Sequence, residues 1–267
     1  MIKISRLILW IGGLSLFFLG TKIAQVDFSY LLVFYYVLLS FPVNVIVYGL
    51  NDIYDYESDK LNPRKNTAQG LILEKTYHKL VLKYVWIFSL LFISISYLVN
   101  LYVFLFSILF VLLCYVYSVP PIRLKTKAPI DSMVNGIGYT LFFILGLYFN
   151  GFNGLYLELI LTLVFLFFGG HIFFTVLDYE SDKIVGDKTF AVKYGKNFAL
   201  FISFKTFTLV YILTSFQTQI LNYFLLLIIF FSFLAFFVDL EKYKKYAIYG
   251  AIFMTIILFI YFIIYFI

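Results

Sequence analysis

Two identical hexapeptides, Asp-Tyr-Glu-Ser-Asp-Lys, stand at Asp55–Lys60 and Asp178–Lys183 of this chain, each at the end of a long apolar run. If the preceding helix continues through the first copy, Asn51, Asp55 and Asp59 fall at i, i+4 and i+8, with Asp52 beside them. One helical face then carries an amide and three carboxylates. In the second copy Asp178 and Asp182 are again four apart, while Glu180 points elsewhere. Carboxylates packed this closely repel and raise one another's pKa unless a cation intervenes. Mg²⁺ suits such a face, because it combines one or two carboxylates with phosphate oxygens and water. Two such faces can clamp a diphosphate through their metal ions. The plain alternative is that the aspartates cap helix ends near water. One copy is compatible with that; two identical copies at equivalent positions favour a divalent-cation site.

Cations follow each acidic stretch: Arg64 and Lys65 after the first, Lys183 and Lys188 after the second, with Arg123 and Lys125 between them. Guanidinium and ammonium groups stabilise negative charge growing on a leaving diphosphate. Most of the lysines also serve as topology signals, so Arg64, Arg123 and Lys125 are the stronger phosphate-site candidates.

The elements that must position these residues are membrane helices. The 267 residues are 63% hydrophobic and 23% aromatic, and only 13% are charged, where soluble domains carry about a quarter. Apolar runs of about 20 residues, enough to cross the hydrocarbon core, recur along the chain. We place spans at 5–24, 29–50, 80–98, 101–117, 130–149, 155–177, 198–215, 220–240 and 246–266. The expected fold is an all-α, polytopic membrane helical bundle of about nine helices around a central cavity, one domain over residues 1–267. The net charge of +6 does not indicate nucleic acid. Its lysines and arginines gather in alternate loops, as the positive-inside rule requires of the cytoplasmic side, and the functional end faces that side. Met1–Gly20 resembles a signal peptide, but its continuation into further apolar runs makes it a first span. The lone Cys114 lies inside a span and makes no disulfide. The acidic copies follow spans two and six, which run in the same direction. That suggests a pseudo-repeat of four-helix units carrying the motifs 51–59 and 178–182.

At these residues the chain resembles the UbiA superfamily of membrane prenyltransferases. The signature Asn-Asp-x-x-Asp-x-x-x-Asp is matched by Asn51, Asp52, Asp55 and Asp59, followed by Asn62-Pro63-Arg64. The second signature is matched by Asp178, Asp182, Gly186, Thr189, Ala191 and Gly195. An acidic residue that some members carry three positions before it is Thr175 here, so that role is not transferred. The loop Tyr117-Ser118-Val119-Pro120-Pro121-Ile122-Arg123-Leu124-Lys125 is also similar. The resemblance implies Mg²⁺-dependent transfer of a polyprenyl group from an allylic diphosphate to a lipophilic acceptor. Asp55, Asp59, Asp178 and Asp182 would hold the metal, with Arg123 and Lys125 as further catalytic residues. Asn51, Asp52, Arg64, Tyr115 and Tyr117 would bind substrate. The middle loop, with Asp131-Ser132 and Asn135-Gly136, is similar to the carotenoid-elongating and chlorophyll-synthase-like branches, which implies an acceptor such as lycopene. Quinone precursors, haem, chlorophyllide and glycerol-phosphate ether lipids stay open.

Ionisation of an allylic diphosphate creates a carbocation that aromatic faces stabilise. Tyr54, Tyr115, Tyr117, Tyr139 and Phe174 are candidates, although with 24 Tyr and 35 Phe most rings pack or face lipid. His171 is suited to accept a proton after transfer, or is a buried polar residue hydrogen-bonded within the bundle. His78 reads as solvated. Gly136, Gly138, Gly169 and Gly170 mark close helix approaches. A secondary transporter or channel using the aspartates as an ion site is the alternative class. Against it, the acidic residues sit at helix ends beside phosphate-suited cations.

Overall fold

The structure, a computed structural model, describes residues 1–60, 71–152, 154–214, 219–238, 250, 256 and 260. Among these residues there are helices and no strands, with one isolated parallel bridge between Lys127 and Lys188. The helices are α1 (Ile2–Ser5), α2 (Trp10–Ile23), α3 (Tyr30–Tyr54), α4 (Tyr56–Asp59), α5 (His78–Val99) and α6 (Leu101–Ser118). They continue with α7 (Ile130–Leu147), α8 (Leu157–Leu177), α9 (Tyr179–Val185), α10 (Phe190–Tyr194), α11 (Lys196–Thr214) and α12 (Gln219–Leu234). Seven segments are long and apolar enough to cross a membrane, from Ile2–Ile23 to Lys196–Thr214. Seven of the expected spans coincide with these segments to within a few residues, and the eighth, 220–240, meets the shorter α12. The ninth, 246–266, lies outside the described residues except at three isolated positions, so the count of nine rests on that segment. Trp86, Leu90, Leu98, Leu105 and Phe230 are exposed apolar side chains on these helices, the surface that lipid covers.

The chain forms two compact units. The first comprises Met1–Arg123 with Leu141–Leu155. Its centre is aromatic: the fully buried Tyr35 stacks on Phe17 at 5.4 Å and meets Phe92 at 5.8 Å and Phe149 at 5.4 Å. A phenol this deep needs a partner, and the Ser96 hydroxyl lies 2.8 Å away. The helix ends are satisfied by their own sequence. Ser29 accepts from the Leu32 amide to start α3, and Asn100 accepts from the Val103 amide to start α6. The Asn100 amide also donates to the carbonyls of Tyr148 and Phe149, tying the α5–α6 turn to the end of α7. Pro42 removes a donor from the middle of α3; two residues on, Asn44 donates to the Leu39 and Ser40 carbonyls within that turn. The backbones of α2 and α7 meet at a pair of glycines. A Cβ on Gly20 would lie 2.2 Å from the Phe143 carbonyl oxygen, and one on Gly146 would lie 2.2 Å from that of Phe17.

The second unit comprises Leu124–Thr140 with Tyr156–Ile260. Its apolar core gathers Ile172 and Val176 of α8, Phe190 and Ala191 of α10, and Ala199 and Leu200 of α11. Gly169 lets α8 approach Thr206 of α11, where Ser203 donates to the Gly169 carbonyl at 2.9 Å. Gly136 lies under the Val164 carbonyl. Two of the four glycines expected at close approaches are therefore at them. The other two, Gly138 and Gly170, have open space where a Cβ would stand.

This contrast is testable. Gly20→Ala drives a methyl into backbone that cannot turn aside and is expected to cost about 1–3 kcal/mol. Gly138→Ala adds a methyl to open space and gains helix propensity, so it is expected to be neutral or stabilising. Thermal unfolding in detergent distinguishes the two substitutions, and equal effects would contradict the packing.

Candidate active site

The repeated hexapeptide makes the same local structure twice. In the first copy α3 pauses at Asp55, with φ −102° and ψ 6°, and resumes as α4. In the second, α8 pauses at Asp178, with φ −98° and ψ 3°, and resumes as α9. Helical hydrogen bonds bridge both pauses: the Asp59 amide donates to the Asp55 carbonyl at 2.7 Å, and the Asp182 amide donates to that of Asp178 at 2.9 Å. The i, i+4 aspartate pairs therefore keep a common face. Each serine bonds back to the carbonyl of its first aspartate, Ser58 to Asp55 and Ser181 to Asp178, both at 2.9 Å. Each lysine lies over the ring four residues earlier, Lys60 over Tyr56 and Lys183 over Tyr179. Each glutamate turns to lysine at the surface, Glu57 to Lys60 and Lys75, and Glu180 to Lys196. In both copies Tyr, Glu and Lys pair with one another or with further lysines at the surface.

Around the first copy the environment is buried and charged. Asp52, Asp55 and Asp59 are 0%, 7% and 4% exposed. Carboxylates so placed require compensation, and two arginines reach them. Arg6 Nη2 donates to Asp52 Oδ1 at 2.6 Å, and its guanidinium lies 4.3 Å from the centre of the Tyr48 ring. Arg123 Nη2 donates to Asp55 Oδ1 at 3.3 Å. Both arginines sit in left-handed backbone, at φ 52° and φ 40°. That conformation costs a non-glycine residue about 1–3 kcal/mol, and it persists only where the surroundings impose it. Asn51 Oδ1 accepts from the Ser118 hydroxyl at 2.5 Å, joining the end of α3 to the end of α6.

Around the second copy, hydroxyls and amides are among the supports. Asp182 accepts from the Thr189 hydroxyl at 2.9 Å. The next two amides start α10 and are taken by side chains from other helices: Phe190 N–H by Asp131 Oδ2 at 3.0 Å and Ala191 N–H by Thr175 Oγ1 at 3.2 Å. Gly186 and Gly195 close α9 and α10 at φ 78° and φ 91°, where side chains are strained. The spacing of Gly186, Thr189, Ala191 and Gly195 is thus a loop that folds back under Asp182. The Ala128 amide donates to the Lys188 carbonyl, and Lys193 donates to the Ala128 carbonyl, fastening that loop to the start of α7.

Of the remaining expected residues, Lys125 and Tyr117 are half-buried, and Tyr115 packs on Trp86 at 5.1 Å. Tyr139 stacks on Phe167 and Phe174 meets Phe173, so both rings take part in packing. His78 bonds the Leu73 carbonyl. Arg64 lies outside the described residues. Sequence reasoning treated Arg6 as a topology signal and gave no role to Ser118 or to the pairing of Ser132 with His171. A lone arginine before an apolar run carries no local sign of a partner 46 residues away. Among the described residues no three His, Cys, Asp or Glu side chains converge to hold a metal unaided. An all-oxygen pair one turn apart is nevertheless what Mg²⁺ uses when phosphate and water complete its shell, and the aspartate pairs fit it.

Arg6→Met removes the guanidinium that pairs with the fully buried Asp52 and is expected to cost about 3–5 kcal/mol. Arg6→Met combined with Asp52→Leu should recover most of that loss in the same unfolding assay, and no recovery would show that the pair is not the cause. Glu57 behaves differently. Hydrogen bonds from Lys60, then Lys75, hold its carboxyl below the usual range, so any contribution is present at neutral pH and fades as pH falls through the lowered pKa. Water screens this exposed cluster. Glu57→Gln is expected to leave the melting temperature at pH 7 unchanged, and a clear drop would contradict this.

The UbiA prenyltransferase family model matches residues 13–265. Among curated relatives, a lycopene elongase/hydratase of Corynebacterium glutamicum is 29% identical over 137 residues, 51% of this chain and 48% of that protein. One of Halobacterium salinarum is 28% identical over 179 residues, 66% of this chain and 60% of that protein. The matched segment thus spans about half the length of the first of these relatives. A solved UbiA homologue from Archaeoglobus fulgidus bound to DMAPP and Mg²⁺ superposes with a TM-score of 0.74 at 21% identity, covering 97% of both chains. The architecture is therefore the UbiA membrane fold, and the chain belongs to the UbiA prenyltransferase family.

Proposed function

We propose that this protein transfers a polyprenyl group from an allylic diphosphate to a lipophilic acceptor in the bilayer, releasing diphosphate. The observation that carries the reading is the repeated broken-helix aspartate pair in a chain matched by the family model over 13–265. In this reading Asp55, Asp59, Asp178 and Asp182 are the metal ligands, Asn51 assists, and Asp52 positions the first motif through Arg6. Bound Mg²⁺ would neutralise the diphosphate and make it a better leaving group. Arg123, already beside Asp55, stabilises the departing charge together with Lys125 and Arg64. Tyr115 and Tyr117 offer ring faces to the allylic cation, and the apolar helices keep water from it.

Homologues solved with DMAPP or GPP and Mg²⁺ support the donor class. The lycopene elongase/hydratase relatives support a carotenoid acceptor such as lycopene. Residues 1–267 act as one prenyltransferase domain in this account, and the shared geometry at Asp55 and Asp178 supports its origin as a pseudo-repeat. The active end faces the cytoplasm of a multi-pass cell-membrane protein, a reading supported by the lysine-rich loops.

The test uses purified protein in lipid nanodiscs with DMAPP or GPP and a panel of lycopene, quinone precursors, haem, chlorophyllide and glycerol-phosphate lipids. Mg²⁺-dependent release of diphosphate with a coupled product is expected. Asp55→Asn and Asp178→Asn should each reduce coupling by about 10²–10³-fold. Coupling that survives both substitutions or Mg²⁺ chelation would contradict the reading.

A further inference from the structure

Thr189 is the N-cap residue of α10, in extended backbone at φ −63° and ψ 170°. A threonine there ordinarily accepts a hydrogen bond from an amide in the first turn of its own helix. This one makes no such bond. Its hydroxyl donates instead to Asp182 Oδ2, at 2.9 Å. The first two amides of α10 are capped from elsewhere, Phe190 N–H by Asp131 Oδ2 and Ala191 N–H by Thr175 Oγ1. Asp131 comes from the start of α7 and Thr175 from α8, and both are buried. On the other side of Thr189, the Lys188 carbonyl accepts the Ala128 amide at 3.1 Å. The backbone is thus held one residue before Thr189 and again one and two residues after it. A β-branched side chain on a fixed backbone has few rotamers, so the hydroxyl is aimed. The Asp131 carboxylate is held in turn, because the Ser132 hydroxyl donates to its Oδ1 at 3.3 Å.

We propose that Thr189 and Asp131 are positioning residues of the second aspartate pair. Thr189 orients the Asp182 carboxylate for a divalent cation, and Asp131 frees and fixes Thr189 by capping α10 in its place. The proposal rests on the prenyl-transfer reading above, in which Asp182 is a metal ligand. A carboxylate turns easily about its last bond. Donation from Thr189 sets its plane in advance, so less freedom is lost when the cation binds. A lysine or arginine in that place would set the plane too, but its charge would oppose the cation. A hydroxyl brings no charge. Outer-shell donors of this kind orient the ligands of a metal and tune its affinity. Asp131 reaches the metal ligand only through the chain, by way of the Phe190 amide and the residue before it.

The test measures binding of unreactive geranyl thiodiphosphate to nanodisc-embedded protein as Mg²⁺ is varied, with thermal unfolding run on each variant. Thr189→Val keeps the side chain's shape and removes the donor. Its Mg²⁺ concentration for half-maximal binding should rise about tenfold to a hundredfold. Thr189→Ser keeps the hydroxyl and should return that midpoint to near the wild-type value. Asp131→Ala should raise the midpoint as well, and it should lower the melting temperature by taking the acceptor from the Phe190 amide. Combined with Thr189→Val, it should lower stability further but leave the Mg²⁺ midpoint where the threonine variant put it, since both act by one route. A wild-type midpoint in Thr189→Val overturns the proposal, as does equal weakening by Thr189→Val and Thr189→Ser. A midpoint that simply follows melting temperature across the four variants shows a structural role and overturns it too. Additive midpoint shifts in the double variant overturn the part given to Asp131. Wild-type binding that needs no Mg²⁺ instead overturns the metal-dependent prenyl-transfer reading beneath it.

Discussion

Several carboxylates stand buried at the end of helices that are otherwise fit only for lipid. Desolvating a carboxylate costs several kcal/mol unless it is paired or hydrogen-bonded. Much of the architecture around the first motif answers that demand. The chain before α2 turns back at Arg6 so that its guanidinium meets Asp52, and the chain after α6 turns at Arg123 to meet Asp55. Both arginines take left-handed backbone to do so. The Ser118 hydroxyl fixes Asn51 from the end of the same helix. Removing the carboxylates would take from Arg6 and Arg123 the ion pairs that their left-handed turns make.

The duplication is local, and the support is not. Asp-Tyr-Glu-Ser-Asp-Lys specifies a pause, a resumed helix and an outward Tyr–Lys–Glu face in both places. Arg6 and Arg123 reach the first copy, and the Thr189 hydroxyl reaches the second.

What could be read from the sequence divides along the same line. Helix positions were legible because apolar length is a local property, and seven expected spans coincide with helices long enough to cross a membrane. The aspartate faces were legible because an i, i+4 spacing survives a one-residue pause when the hydrogen bonds bridge it. The long-range partners were not. Nothing near Arg6 announces Asp52, and nothing near Asp131 announces an amide 59 residues later. Glycine spacing was half informative: Gly136 and Gly169 stand at close approaches, yet Gly138 and Gly170 look the same in sequence and have open space where a Cβ would stand. Such pairings depend on how helices cross, which periodicity does not encode.

The most direct test of the central claim is binding without chemistry. Geranyl thiodiphosphate, an unreactive donor analogue, would be titrated into nanodisc-embedded protein with and without Mg²⁺. The same titration would be run on Asp59→Asn and Asp182→Asn, the far members of the two pairs. The account predicts binding that requires Mg²⁺ and weakens at least about tenfold in each variant, since each loses a ligand to the metal. Binding that ignores both chelation and the substitutions would contradict it, and the aspartates would then be helix caps after all.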